Sequence, residues 1–188
     1  MAIHTLVAPF LCALAIGLAA GCNSSGRAEN AERGDPLARA IHLPTLATEK
    51  CPTESGRIVD QAFGLAFGRG PVYAAALGKN STLQFSPPER FDSERWGGNK
   101  VLWLVGPEYR GPLLIRGRRL DKPALVRFDE GNVPPGSIRL GAVGAGLEPA
   151  WRDRPSYTRV QDLGCYAWQI DGRGFSYAIV FRVVAARD

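Results

Sequence analysis

Histidine is almost missing from this chain of 188 residues: there are two, His4 and His42, and neither lies beyond Lys50. A domain folded from the remainder has no imidazole for a Ser-His-Asp or Cys-His relay and none to ligate a metal. Lysine is scarce as well, with four residues against nineteen arginines. That ratio, beside abundant Ala, Gly and Pro, is the mark of GC-rich coding rather than of a polyphosphate groove, and no nucleic-acid partner is expected. A net charge of +5 and a pI near 9.3 still favour contact with acidic surfaces such as anionic lipid or wall polymers. No C-x-x-C pair occurs, and no convincing run of helical period and length follows Lys50.

Carboxylates are present, among them Asp60, Glu108, Asp121, Asp129, Glu130, Asp153, Asp162 and Asp171. A glycoside hydrolase needs two of them at a fixed separation across a cleft. Most sit instead in turn contexts such as "LDKP" and "FDEGN". The stretch "DEGN" at Asp129 to Asn132 offers oxygen ligands but lacks the spaced acids of a calcium loop, and reads as a plain turn. No catalytic residue, metal or cofactor is assigned, and the domain is read as non-enzymatic.

Charge is missing altogether from the first twenty-two residues. "TLVAPFLCALAIGLAAGC" is apolar over about the length of a signal-peptide core and ends in small residues. "LAAGC" at Leu18 to Cys22 resembles the bacterial lipobox, which implies a signal peptide over 1–21 and Cys22 as the lipidated mature N-terminus. Its n-region "MAIHT" carries no Lys or Arg; cleavage near Ala19 or Ala20 with secretion is the first alternative, and a retained transmembrane anchor the second. Residues 22–50 are polar, small and charged without a sustained apolar period, the composition of a flexible tether.

From Cys51 to Asp188 the signals are those of strands. "GPVYAAALG", "STLQFS", "NKVLWLVG", "GPLLIRGRRL", "PALVRFD", "SIRLGAVG", "SYTRV", "GCYAWQID" and "GFSYAIVFRVV" follow one another between Gly, Pro and Asp turns. So many short strands predict an all-β, antiparallel sandwich of the immunoglobulin-like sort. In the last two, Tyr166, Trp168 and Ile170 share one side, as do Phe175, Tyr177, Ile179, Phe181 and Val183. A two-residue turn at Asp171-Gly172, or a four-residue loop through Gly174, puts both sets on one core face. The opposite face, with Cys165, Ala167, Gln169, Ser176, Ala178 and Val180, is small enough for another segment to lie over it.

Four cysteines are present. Cys12 belongs to the leader and Cys22 to the lipid, which leaves Cys51 and Cys165 as an even pair in an exported domain. A disulfide between them would tie the first structured residue to the penultimate strand. The pattern GCY-x4-DG-x2-FS-x2-IVFR, preceded by "RPSYTRV" and "KVLWLV", resembles a family of uncharacterised bacterial exported proteins and lipoproteins over roughly the last ninety residues. That resemblance implies export and fold, and no activity.

Tryptophan supplies the binding candidates. Trp96 lies in the charged loop "PPERFDSERWGGN", and Trp151 in "EPAWRDRPSY" beside Tyr157, with Arg152 and Arg154 between them. Loop tryptophans on a sandwich can stack on sugar rings, while the arginines contact anionic or hydroxyl groups. The plainer reading is that both plug the ends of the sandwich. Arg116 and Arg118 share a strand face and read as solvated. The sequence thus predicts a protein anchored to the cell membrane by lipid, outside the cytoplasm, with a domain that binds cell-wall glycan or an envelope protein. An accessory envelope protein without its own ligand is the second reading, and a secreted carboxylate hydrolase the third.

Overall fold

The computed structural model describes residues 35, 38–46, 50–144 and 150–186; the apolar leader and Cys22 lie outside them. Eleven strands alternate with short connections: β1 (Arg57–Ile58), β2 (Leu65–Phe67), β3 (Val72–Ala75), β4 (Thr82–Phe85), β5 (Gly97–Val105), β6 (Leu113–Arg119), β7 (Arg127–Phe128), β8 (Ile138–Leu140), β9 (Arg152–Val160), β10 (Gly164–Gly172) and β11 (Phe175–Ala185). They form a six-stranded sheet in the order β1-β2-β3-β5-β9-β7 and a five-stranded sheet in the order β4-β11-β10-β6-β8. All pairings are antiparallel except that of β4 with β11. The fold is an all-β sandwich. Its strand number and order are its own, beside the seven or nine strands of immunoglobulin domains.

Period-two patterning fills the space between the sheets. Val101, Trp103 and Val105 of β5 face Tyr166, Trp168 and Ile170 of β10 and Ile179, Phe181 and Val183 of β11 in one buried cluster. Trp103 meets Trp168 edge-on with ring centroids 5.1 Å apart, and Trp168 lies flat on Phe181. Each such side chain, fully buried, stabilises the fold by about 1.5–3 kcal/mol. Tyr177 joins the sheets with its hydroxyl, which donates to the Val72 carbonyl and accepts from the Val72 N–H at 3.2 Å.

The terminal hairpin has the expected core face but a different turn. Gly172 pairs with Phe175 and Asp171 with Ser176, so the two-residue connection is Arg173-Gly174. Gly174 takes the positive φ, +81°, that the turn demands. Gly172 is needed for another reason: a Cβ there would stand 2.3 Å from the Phe175 ring. β10 thus runs two residues further than the Asp-Gly turn implied, β11 starts two residues later, and Asp171 is a fully buried strand residue.

Its burial explains what happens to the tether. Asp171 accepts from Arg116 Nη2 at 2.7 Å, from Gln169 Nε2 at 2.9 Å and from Ser176 Oγ at 2.7 Å, and pairs with Arg39 at 3.7 Å. Gln169 Nε2 also donates to the Ala40 carbonyl at 2.9 Å, and the His42 N–H donates to Gln169 Oε1. Leu43 and Leu46 then pack on Cys165, Ala167 and Val180. Residues 39–46, of tether composition, therefore form a strap over the outer face of β10. It runs from Asp171 toward Cys165, where the Cys51–Cys165 disulfide closes it with a Cα separation of 5.4 Å. Arg116 is not a solvated cation but half of a buried ion pair, because Asp171 needs a counter-charge.

Candidate functional site

The strap distinguishes the two ends of the sandwich. At the entry pole, beside Arg39 and the Arg173-Gly174 turn, lie the C-terminus of β5 and the start of β9. The other end, the far pole, holds the start of β5 and the end of β9, where Gly97 pairs with Val160. The nine residues of β5 separate the poles by roughly 27 Å.

At the far pole the chain between β4 and β5 builds one wall of a cleft. Pro87 and Pro88 start a single 3-10 turn over Pro88–Phe91, which ends at Asp92 in the left-handed conformation. Ser93 Oγ then accepts from the N–H groups of Arg95 and Trp96 at 3.3 and 3.1 Å, folding the loop under itself. The chain enters β5 through Gly98, whose φ is +140° and where a Cβ would meet the Thr158 carbonyl at 1.9 Å. The facing wall is Asn132 to Pro134. Between them is an open space of about 810 Å³, and an adjoining recess of about 330 Å³ shares Asp92 and Asn132 with it.

A fully buried arginine sets this geometry. Arg159 of β9 donates Nε to the Trp96 carbonyl at 3.2 Å and Nη1 to the Asp129 carbonyl at 3.2 Å, while Nη2 also binds Trp96. Its guanidinium lies 4.1 Å from the centre of the Phe91 ring, and burial lowers its pKa. Among the described residues no carboxylate pairs with it; carbonyl dipoles hold the charge instead. One side chain therefore ties both walls to the sheet.

Trp96 is part of this construction and not an open platform. It is 7 % exposed, and the guanidiniums of Arg95 and Arg127 sit over its ring at 5.4 and 5.8 Å. Tyr157 is near, edge-on to Phe91 at 5.1 Å and lining the recess. Arg154 reaches the same loop, pairing with Asp129 at 2.8 Å. Trp151 and Arg152 are elsewhere: they stand at the entry pole, where Trp151 packs on Phe63 and Tyr73 across the outer face of the first sheet. The expected group of Trp96, Trp151, Tyr157, Arg152 and Arg154 is thus divided between two poles. Of the polar rim of the cleft, Glu89, Asp92, Glu94 and Arg127 were not singled out from the sequence, and Glu130 and Asn132 stood there only in the stretch read as a plain turn. The signal was the "WGGN" after the charged loop, since paired glycines mark a place where backbones come close.

No family model, curated protein or solved structure matches the chain.

Proposed function

We propose that this is a bacterial envelope protein, held at the extracytoplasmic face of a membrane through lipid on Cys22, whose sandwich is a non-catalytic binding domain. The observation that carries the binding part is the cleft at the far pole. A domain tethered at one end presents its opposite end to its surroundings, and the open cleft of about 810 Å³ is there. The rim carries both signs of charge over a rigid floor, and the one tryptophan in it is covered by arginine. That chemistry suits a polymer with hydroxyl, carboxylate and amine groups, such as peptide-bearing wall glycan, better than a neutral sugar stacked on an indole. The burial of Trp96 and the packing of Trp151 support a second reading, an accessory envelope protein without a ligand of its own.

Two measurements test this. Mass spectrometry of the native N-terminus should find a lipidated Cys22, and Cys22→Ser should release the protein or block its processing; any other mature N-terminus removes the anchor. Purified cell-wall sacculi should retain the full chain, and Arg127→Ala with Asn132→Ala should weaken retention by about tenfold, roughly 1.4 kcal/mol, with the melting temperature nearly unchanged. Failure of sacculi and of wall-derived glycan peptides to retain the unaltered protein would leave the accessory reading in place.

A further inference from the structure

The entry pole has a feature that the cleft does not use. Arg152 donates Nη1 to the Gly141 carbonyl at 3.1 Å and Nη2 to the carbonyls of Tyr109 and Gly111 at 3.1 and 3.4 Å. Its Nε is buried without a partner. Arg110 donates Nη2 to the Gly144 carbonyl at 2.7 Å. Among the described residues neither arginine has a carboxylate within ion-pair distance. Burial lowers the pKa of Arg152, and the like charge of Arg110 pushes the same way.

Two guanidiniums therefore share a backbone shelf at Gly141 and Gly144. At both glycines no atom of the described residues stands within 4 Å of the position of a Cβ. Two more cations join them. The Gly106 N–H donates to the Pro71 carbonyl at 2.8 Å, which brings the loop carrying Arg69 to this end. The Arg173 N–H donates to Tyr109 Oη at 2.8 Å, which brings the hairpin tip. Arg69 and Arg173 are exposed. Glu108 and Asp153 are the acids nearest in sequence to the pair. Guanidiniums fixed by carbonyls, with no carboxylate within ion-pair distance among the described residues, match the oxygens of a phosphate.

We propose that the entry pole docks on an anionic phospholipid surface, with Arg110 and Arg152 taking a headgroup phosphate and Arg69 and Arg173 meeting its neighbours. Lipid is the occupant because Arg39 binds the Phe175 carbonyl beside the hairpin tip, at this pole, and Cys22, which carries the lipid in the reading above, precedes Arg39 by only 17 residues. The inference rests on the membrane tether proposed above. It adds that the domain sits pole-down on the membrane and turns its cleft outward.

The test uses the purified full chain with vesicles of phosphatidylcholine alone or mixed with phosphatidylglycerol. Flotation reads attachment, and hydrogen exchange of residues 106–112 and 172–175 reads docking. Exchange in both segments should slow several-fold on the phosphatidylglycerol vesicles only, and salt should reverse it. Arg69→Gln with Arg110→Gln, which leaves the three carbonyl contacts of Arg152 intact, should abolish the slowing while lipid-borne flotation persists. If there is no lipid anchor, flotation itself should need phosphatidylglycerol and fail in the double variant, so loss of the tether is told apart from loss of the docking site. Equal slowing on phosphatidylcholine, slowing that survives in the double variant, or the same slowing with inorganic phosphate alone would overturn the proposal.

Discussion

The two outer faces of the sandwich are covered in different ways. On the first sheet, side chains do it: Phe63, Tyr73 and Trp151 pack on one another across β3 and β5, with Arg57 over the Tyr73 ring. On the second sheet, the face is too small-featured to cover itself, with Ala167 and Ala178 among its residues, and a separate piece of chain lies over it. The first solution is local and apolar. The second is non-local, uses a buried carboxylate, and is closed by a covalent bond. A face covered by side chains loses stability residue by residue, whereas a strapped face depends on a few pins.

The largest effect should therefore come from the strap's covalent end. Cys51→Ser with Cys165→Ser opens a link between residues 114 apart, and chemical denaturation should show a loss of about 4 kcal/mol. A loss near zero would mean that the strap is held equally well without its pin. Next is the polar end: Asp171→Ala leaves Arg116 and Gln169 without their shared acceptor and should cost about 3 kcal/mol. Hydrogen exchange should then report residues 39–46 released while β5 and β9 stay protected, which would separate the two faces experimentally. Trp151→Ala on the first sheet should cost about 2 kcal/mol, less than for a fully buried tryptophan because the ring is only partly buried, and should leave the strap protected.

The smallest expected effect lies at the joint between the sheets. Tyr177→Phe removes both hydrogen bonds to Val72 and should cost about 1.5 kcal/mol at neutral pH. Burial raises the pKa of this phenol. The stabilisation from keeping it neutral is thus complete below the unfolded value of about 10 and fades as pH rises toward the higher folded value. The variant should show a flatter alkaline limb in stability against pH. An unchanged limb would assign alkaline unfolding to other groups.

Much of this was legible in the sequence. The nine strand segments read from Gly70 onward all contain strands, and the disulfide pairs the two cysteines left after the leader. β1 and β2 were not read, because strands of two and three residues carry no period. The Asp171-Gly172 turn was misplaced by one dipeptide because the glycine there relieves a clash with Phe175 rather than supplying a turn. The small residues on the outer face of β10 and β11 announced that a segment would lie over it, but not which one, because the order of residues 39–46 comes from Gln169 and Asp171, more than a hundred residues away, and not from any pattern within themselves. The cleft was half legible. Trp96 and Tyr157 stood out by type, but what places them is Arg159, one of nineteen arginines and marked by nothing until its burial is seen.

The strap also has a mechanical meaning. The stretch of β10 from Asp171 to Cys165 is roughly 20 Å long, while the chain from Arg39 to Cys51 can extend to about 40 Å. A pull on the N-terminal segment, directed away from the entry pole, acts along the strap and loads its contacts in shear. When they yield, about 20 Å of slack is paid out and the load then passes to the Cys51–Cys165 bond. Cys165 belongs to β10, the central strand of the second sheet, so the load enters the sandwich at that one strand. The domain is thus fitted with a short extensible leash that lengthens before anything unfolds.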